Sequence, residues 1–328
     1  MTDYRAAGVD LDAADEHVAR IAPIVEETWS DTVRGGFGGF AAGVELPPGY
    51  RNPVMMLSTD GVGTKLEIAR RANRWAGVGF DLVAMCVDDL VAAGARPVAF
   101  VDYLAVGRLD PDRDRGIVES IARACMETGC ALVGGETAEH PGVMEPDAVD
   151  LAGTALGVVE RGEELGPDRV EEGDAIVGLH SPNLRSNGFS LVRRVFADHD
   201  LDRPFPEEDA TMAEVLLRPS VIYAPAVLAA IATGAVHAAA HVTGGGLVAN
   251  LARSVPDHLE AVIDHWSWAW PNAFTQVQRV GGISIEEMRR TFNLGIGFVL
   301  VVDSAAVDEV MGAVDAHQPT VIGSIRAR

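Results

Sequence analysis

The residues of this chain best suited to chemistry are Asp60, Gly61, Gly63, Thr64 and Lys65, in the stretch Leu57-Ser58-Thr59-Asp60-Gly61-Val62-Gly63-Thr64-Lys65. An apolar run, Pro53 to Leu57, reads as a buried strand that ends here, and a polar helix-like segment follows. Lys65 is the only lysine; every other fixed cation is arginine. A carboxylate that can hold a metal, glycines that let backbone N–H groups approach an anion, and a lysine point charge are ingredients of a nucleotide-phosphate site. The spacing is not that of a Walker loop. Strand, Asp-Gly turn and helix are also common punctuation, so this stretch alone leaves both readings open.

The same ingredients recur. Gly35-Gly36-Phe37-Gly38-Gly39-Phe40 places four glycines around an aromatic, a backbone able to wrap an anion or simply to form a surface loop. In the apolar helix read over Phe80 to Gly94, Asp81 and Asp88 lie seven apart on one face, with Asp89 one step round. Unpartnered buried carboxylates are costly, so a metal or phosphate role competes with a solvated helix edge. Asp102 interrupts the strand Pro97 to Val106, and Ala131 to Glu139 is an apolar strand running into Gly134, Gly135, Glu136, Thr137 and Glu139. Hard-cation sites are assembled from such oxygens, usually with nucleotide phosphates completing the shell. In the second half, Arg185-Ser186-Asn187-Gly188 opens a helix and suits an anion or an ordinary cap. His241-Val242-Thr243-Gly244-Gly245-Gly246, running into a helix over Leu247 to Ser254, is the stronger phosphate cradle, because three consecutive glycines exceed routine capping.

The elements that must position these residues alternate between strand and helix. Helical spacing covers Ala13 to Thr28, broken at Pro23, then Leu66 to Asn73, Pro111 to Thr128, Phe189 to Ala197, Glu286 to Phe292 and Ala305 to Ala316. Further strands are read over Val149 to Val159, Ala175 to Leu179, Gly295 to Val302 and Thr320 to Ile325. The acidic, turn-rich segment Glu160 to Asp174 divides the chain into residues 1–162 and 163–328. At 328 residues, 48% hydrophobic and 23% charged, the chain is long enough for two cores and has an ordinary globular composition. A formal net charge of −22 argues against non-specific nucleic-acid binding, so anionic substrates must be met by local positive features. Trp266, Trp268 and Trp270 alternate without interleaved basic residues, which suggests packing rather than a stacking platform for single strands. Cys86, Cys125 and Cys130 form no CxxC pair and read as reduced structural thiols. Met1 to Arg5 carries no apolar signal core, and the uncharged run from Pro219 to Ala252 is interrupted by prolines, glycines and histidines, so no membrane segment is expected. A cytoplasmic location is expected.

Taken together, Ala7-Gly8-Val9-Asp10, the glycine cluster at 35–39, Thr59 to Lys65, Asp81 to Val87, Gly134 to Glu139, Ser186-Asn187-Gly188, His241 to Gly246 and Arg290-Thr291-Phe292-Asn293 resemble aminoimidazole ribonucleotide synthetase, also called phosphoribosylformylglycinamidine cyclo-ligase. The match covers nearly the whole chain with the motifs in the family's order. The resemblance implies two α+β domains in a homodimer whose N-terminal sheets build a shared barrel, with an α/β sandwich-like C-terminal domain. It implies ATP in the N-terminal half, and purine-biosynthetic ring closure of formylglycinamidine ribonucleotide through phosphorylation of its amide oxygen. Asp60, Asp89 and Glu136 would hold Mg²⁺ against the triphosphate. Lys65 and Gly35, Gly36, Gly38 and Gly39 would position phosphate oxygens, beside Gly61, Gly63, Thr64, Gly135 and Thr137. His241, Thr243, Gly244, Gly245 and Gly246, with Arg185, Ser186, Asn187 and Gly188, would receive the ribonucleotide.

Three departures stand out. Arg185 occupies the place where the family usually has histidine, and arginine stays charged and cannot serve as a base. Asp88 replaces the usual asparagine, and Ala22 to Thr28 carries Glu26 and Glu27 where cations are usual. These changes raise two alternatives: a divergent paralogue activating a related amide or carbonyl, or a nucleotide-binding subunit without turnover. Relatives of this architecture also phosphorylate thiamine monophosphate or make selenophosphate. The latter needs a cysteine near the glycine loop, whereas the first cysteine here is Cys86.

Overall fold

The computed structural model of the protein describes residues 8–265 and 267–328. Met1 to Arg5 and Trp266 therefore lie outside the described residues. The N-terminal half contains α1 (Leu11–Glu26), the short pair β1 (Val33–Arg34) and β2 (Gly43–Val44), β3 (Pro53–Gly61), α2 (Lys65–Ala72), α3 (Val78–Ala92), β4 (Arg96–Val106), α4 (Pro111–Thr128), β5 (Ala131–Glu139) and β6 (Val149–Glu160). β1 and β2 pair only with each other, while the other strands form one sheet ordered β3-β6-β4-β5, in which β4 and β5 run parallel.

The second half contributes β7 (Ala175–His180), α5 (Phe189–Val195), α6 (Met212–Leu216), α7 (Ala224–Ile231), β8 (Val236–His241), α8 (Gly246–Leu251), β9 (Leu259–Ile263), α9 (Asn272–Gly281), α10 (Ile285–Thr291), β10 (Ile296–Val302), α11 (Val307–Ala313) and β11 (Thr320–Ala327). Its five strands are ordered β8-β10-β7-β11-β9, all antiparallel. The α+β class is as the resemblance implies.

Helix α3 joins the halves. Nearly every residue from Val78 to Val91 is buried, which accounts for its apolar sequence on all sides. It packs on β3, β6 and β4 on one side and against β8 and α7 on the other, inside one hydrophobic core shared by both halves. Helix α1 is not broken at Pro23, as the spacing predicts; it runs through to Glu26. The proline removes one backbone donor but fixes φ at a helical value, and the helix ends within a turn of it. The last helix is shorter than predicted, flanked by 3₁₀ turns at Ser304–Ala306 and Asp315–His317. Trp268 spends its indole N–H on the Leu294 carbonyl at 2.9 Å, in line with packing.

The register of the N-terminal sheet decides where its side chains point. Asp60 pairs with Gly153, Gly153 with Asp102, and Asp102 with Gly135, forming one row across all four strands. A Cβ on Gly153 would lie 2.4 Å from the Phe100 ring and 3.1 Å from Leu82 of α3, so this row faces the helices. Residues an odd number of positions away face the other side. There Met55, Leu57, Val101 and Tyr103 are 42, 71, 40 and 43% exposed, leaving this largely apolar part of the sheet face uncovered by the described residues.

Candidate functional site

Two carboxylates, Asp60 and Asp89, lie near the seam between the halves, close enough for the charge of one to act on the other. Asp60 lies in β3, and its Oδ1 accepts the Gly61 N–H at 2.7 Å. Asp89 projects from α3; its Oδ1 faces Nδ1 of His241 at 2.9 Å and its Oδ2 accepts from Ser58 Oγ at 3.3 Å. Burial raises the Asp60 carboxyl, and the Asp89 charge raises it further against the opposing Gly61 hydrogen bond. Burial also acts upward on Asp89, but His241, Ser58 and Arg253 outweigh it and hold that carboxyl below its ordinary value. Burial and the neighbouring charge thus act against the ionised form of Asp60, while hydrogen bonds favour that of Asp89. Two carboxylates beside the Ser58 hydroxyl are oxygen donors of the kind hard cations take, so Asp60 and Asp89 are the candidates to hold Mg²⁺. Glu136 does not join them. It pairs with Tyr103, one row beyond Asp102, and so leaves the sheet on the opposite face from Asp60. Among the described residues no group of three or more acids, histidines or cysteines is gathered as a metal site.

Under α1 and the glycine loop lies a cavity of about 630 Å³. It is lined by Gly36, Gly38 and Gly39, by apolar residues such as Ile21 and Phe37, and by Asp102, Gly135, Glu136 and Thr137 from β4 and β5. Gly35 and Gly38 adopt φ of 95° and 81°, where the absence of a Cβ is needed. A Cβ on Gly135 would lie 2.2 Å from Asp102 Oδ1, so this glycine makes room for that carboxyl. Burial pushes the Asp102 carboxyl up to about 7. His17 of α1, buried and depressed below its ordinary value by that burial, meets Thr137 Oγ1 at 3.5 Å on the same wall.

Lys65 is not on this surface. It is fully buried, with Nζ 2.7 Å from Asp81 Oδ2 and donating at 2.9 Å to each of the Arg185 and Arg218 carbonyls. Its charge is paired with Asp81 and two of its donors go to carbonyls in the interior, so the structure corrects the expectation that Lys65 meets a phosphate. The cause is local: Lys65 begins α2, and its side chain turns inward over Phe189 instead of outward past Thr64. Thr64 Oγ1 lies 3.2 Å from Ser190 Oγ of the second half.

Arg185 is also not exposed to a ligand. It is fully buried, its Nη2 2.8 Å from Asp88 Oδ2 and 3.0 Å from His241 Nε2, with its guanidinium 4.9 Å over the Tyr223 ring. Asp88 Oδ1 accepts from the Tyr223 and Ala224 N–H groups at the start of α7, at 2.9 and 3.1 Å. Beside it, Ser186 Oγ is buried without a partner among the described residues. Gly188 has φ of 76° and lies where a Cβ would strike Phe292 at 2.3 Å.

The Gly244 to Gly246 turn is held by close packing and by side-chain hydrogen bonds. Asn187 Oδ1 accepts the Gly244 N–H at 3.2 Å, and a Cβ on Gly246 would lie 1.9 Å from the Arg289 carbonyl. Asn250, which sequence reasoning does not single out, donates from Nδ2 to the Thr243, Gly244 and Gly246 carbonyls at 3.3, 3.3 and 2.9 Å. Its position four residues after Gly246, one helical turn on, is the available signal. The cysteines are buried; burial raises all three thiols, that of Cys130 to about 12, which keeps them protonated and structural.

Residues 42–159 match the AIR synthase related protein N-terminal domain, and residues 171–328 match its C-terminal domain. Among solved structures, the chain resembles a thiamine-monophosphate kinase from Stenotrophomonas maltophilia K279a at 22% identity and TM-score 0.67, covering 98% of this chain and 95% of that one. It resembles hydrogenase maturation protein HypE in complex with ATP at 17% identity and TM-score 0.65, covering 94% and 86%. T. maritima PurL complexed with AMPPCP is similar at 17% identity and TM-score 0.53 over 84% of this chain and 40% of that one. With both halves matched, the chain belongs to the AIR synthase-related proteins.

Proposed function

We propose that the protein uses ATP to close the imidazole ring of aminoimidazole ribonucleotide from formylglycinamidine ribonucleotide, as a cytoplasmic homodimer with an N-terminal nucleotide domain (residues 1–162) and a C-terminal substrate domain (residues 163–328). The observation that carries this reading is the pair of carboxylates near the seam, Asp89 anchored by His241 and Ser58 and Asp60 within reach of its charge. The glycine-walled cavity is large enough for a nucleotide base and ribose. HypE and PurL of the same fold bind ATP and AMPPCP, which supports ATP as the co-substrate.

When bound at Asp60 and Asp89, Mg²⁺ supplies charge neutralisation on the phosphoryl group. The amide oxygen attacks the γ-phosphorus and ADP leaves. The substrate's own nitrogen then adds to the activated carbon, the C–O bond breaks, and phosphate departs as one proton is lost from nitrogen. Asp89, held by His241 and Ser58, keeps a fixed carboxylate through both steps. Thr64 and Ser190 sit across the seam. Arg185 stays charged and takes no proton. Incubation with formylglycinamidine ribonucleotide, ATP and Mg²⁺ is expected to yield aminoimidazole ribonucleotide and ADP in equal amounts; folded protein that makes neither rules the reaction out. The burial of Arg185 where the family has histidine favours one second reading, a paralogue acting on a related amide or carbonyl. ADP release with ribonucleotide analogues, and none with the purine intermediate, selects it.

The uncovered sheet face supports the homodimer. Leu57, 71% exposed in an otherwise apolar patch, would be buried when two such faces close. Leu57→Glu is expected to convert dimer to monomer in sedimentation velocity. A wild-type protein that sediments as monomer at every concentration excludes the shared barrel.

A further inference from the structure

Arg185 and Asp88, two of the three departures from the family pattern, form one buried ion pair, and the pair reaches further than itself. Arginine can only donate hydrogen bonds. With Arg185 Nη2 at 3.0 Å, His241 Nε2 must accept, so the imidazole carries its single proton on Nδ1. That nitrogen lies 2.9 Å from Asp89 Oδ1 and therefore donates to it. The ring plane is fixed as well, stacked on Phe298 at 6.2 Å with 25° between planes. Asp88 completes the relay from behind, held by two backbone N–H groups of α7.

Resting on the Mg–ATP reading, we propose that Arg185 is a positioning residue for the cation site. By donating to Nε2 it fixes the tautomer and orientation of His241, which in turn holds the Asp89 carboxylate in place. Nε2 is thereby closed to substrate, so His241 is an orienter and not a proton carrier. A histidine ligand-orienter of this kind resembles the outer-shell partners that tune metal sites, whose loss typically costs about 10–100-fold in affinity.

Removing Arg185 alone strands the Asp88 charge and threatens the fold. The informative variant is therefore Arg185→Met/Asp88→Asn, which removes both charges. Two readouts are taken, with circular dichroism establishing that the variant is folded. In long-range ¹H–¹⁵N spectra of the wild type, His241 is expected to show a pyrrole-type Nδ1 and a pyridine-type Nε2, with the resonances assigned by their loss in His241→Asn. In titration calorimetry with Mg²⁺ and AMPPCP, the double variant is expected to bind about 10–100-fold more weakly than wild type. A wild-type His241 protonated on Nε2, or a folded double variant binding within twofold of wild type, overturns the positioning role. A wild type that shows the Nδ1–H tautomer yet binds no Mg–AMPPCP overturns the nucleotide reading and leaves the relay standing.

Discussion

Asp89→Asn is expected to lower ATP-dependent turnover by about 10²–10³-fold while leaving the melting temperature within a few degrees of wild type. The carboxylate is 46% exposed, so it contributes little to the core, and asparagine retains an oxygen that can still accept from His241 Nδ1. What the substitution removes is the negative charge facing the transferred phosphoryl group. A thousandfold loss corresponds to about 4 kcal/mol of transition-state stabilisation, within reach of one cation ligand in a partly enclosed site. Asp60→Asn is expected to lose activity to a similar degree with equal or greater thermal stability, because burial and Asp89 already disfavour the Asp60 charge. Steady-state kinetics with saturating Mg²⁺, alongside thermal melts, check both. An Asp89→Asn enzyme retaining more than a fifth of wild-type turnover would place the cation elsewhere.

The parts of this site legible in the sequence are those set by local spacing. Asp89 sits one step round from a buried helix face, where the pattern places it. Asp60 instead lies inside β3, which runs on to Gly61. That strand is not the buried one that its apolar run suggests, because one of its faces is left uncovered by the described residues. The three acids of α3 nonetheless have three different fates. Asp81 is paired with Lys65, Asp88 with Arg185 and the start of α7, and only Asp89 reaches the open seam. Periodicity identifies the shared inward face of Asp81 and Asp88 but not their partners, which lie far along the chain. Glu136 fails for a related reason: whether it shares a face with Asp60 depends on cross-strand register, which no single strand carries. The glycine triplet shows the limit of motif reading, since the need for Gly246 comes from the Arg289 carbonyl of another helix.

Lys65 gives the sharpest separation between the motif and the structure. A lysine on ATP phosphates would, when replaced by methionine, raise KM for ATP and leave stability nearly untouched. The buried lysine observed here predicts the reverse order of effects. Lys65→Met leaves Asp81 buried without its 2.7 Å counter-charge and frees the Arg185 and Arg218 carbonyls, so a loss of about 3–5 kcal/mol in unfolding free energy is expected. Lys65→Met/Asp81→Asn removes the stranded charge while keeping an acceptor for the Ser220 N–H and Oγ, and is expected to recover a substantial part of that loss. Urea denaturation of the two variants reads the difference directly. If both variants match wild type in midpoint while KM for ATP rises at least tenfold, the lysine turns outward in solution and the inward pair is wrong. If stability falls as expected, any activity defect of Lys65→Met follows from the Arg185 carbonyl it releases, since that carbonyl anchors the residue whose side chain reaches His241.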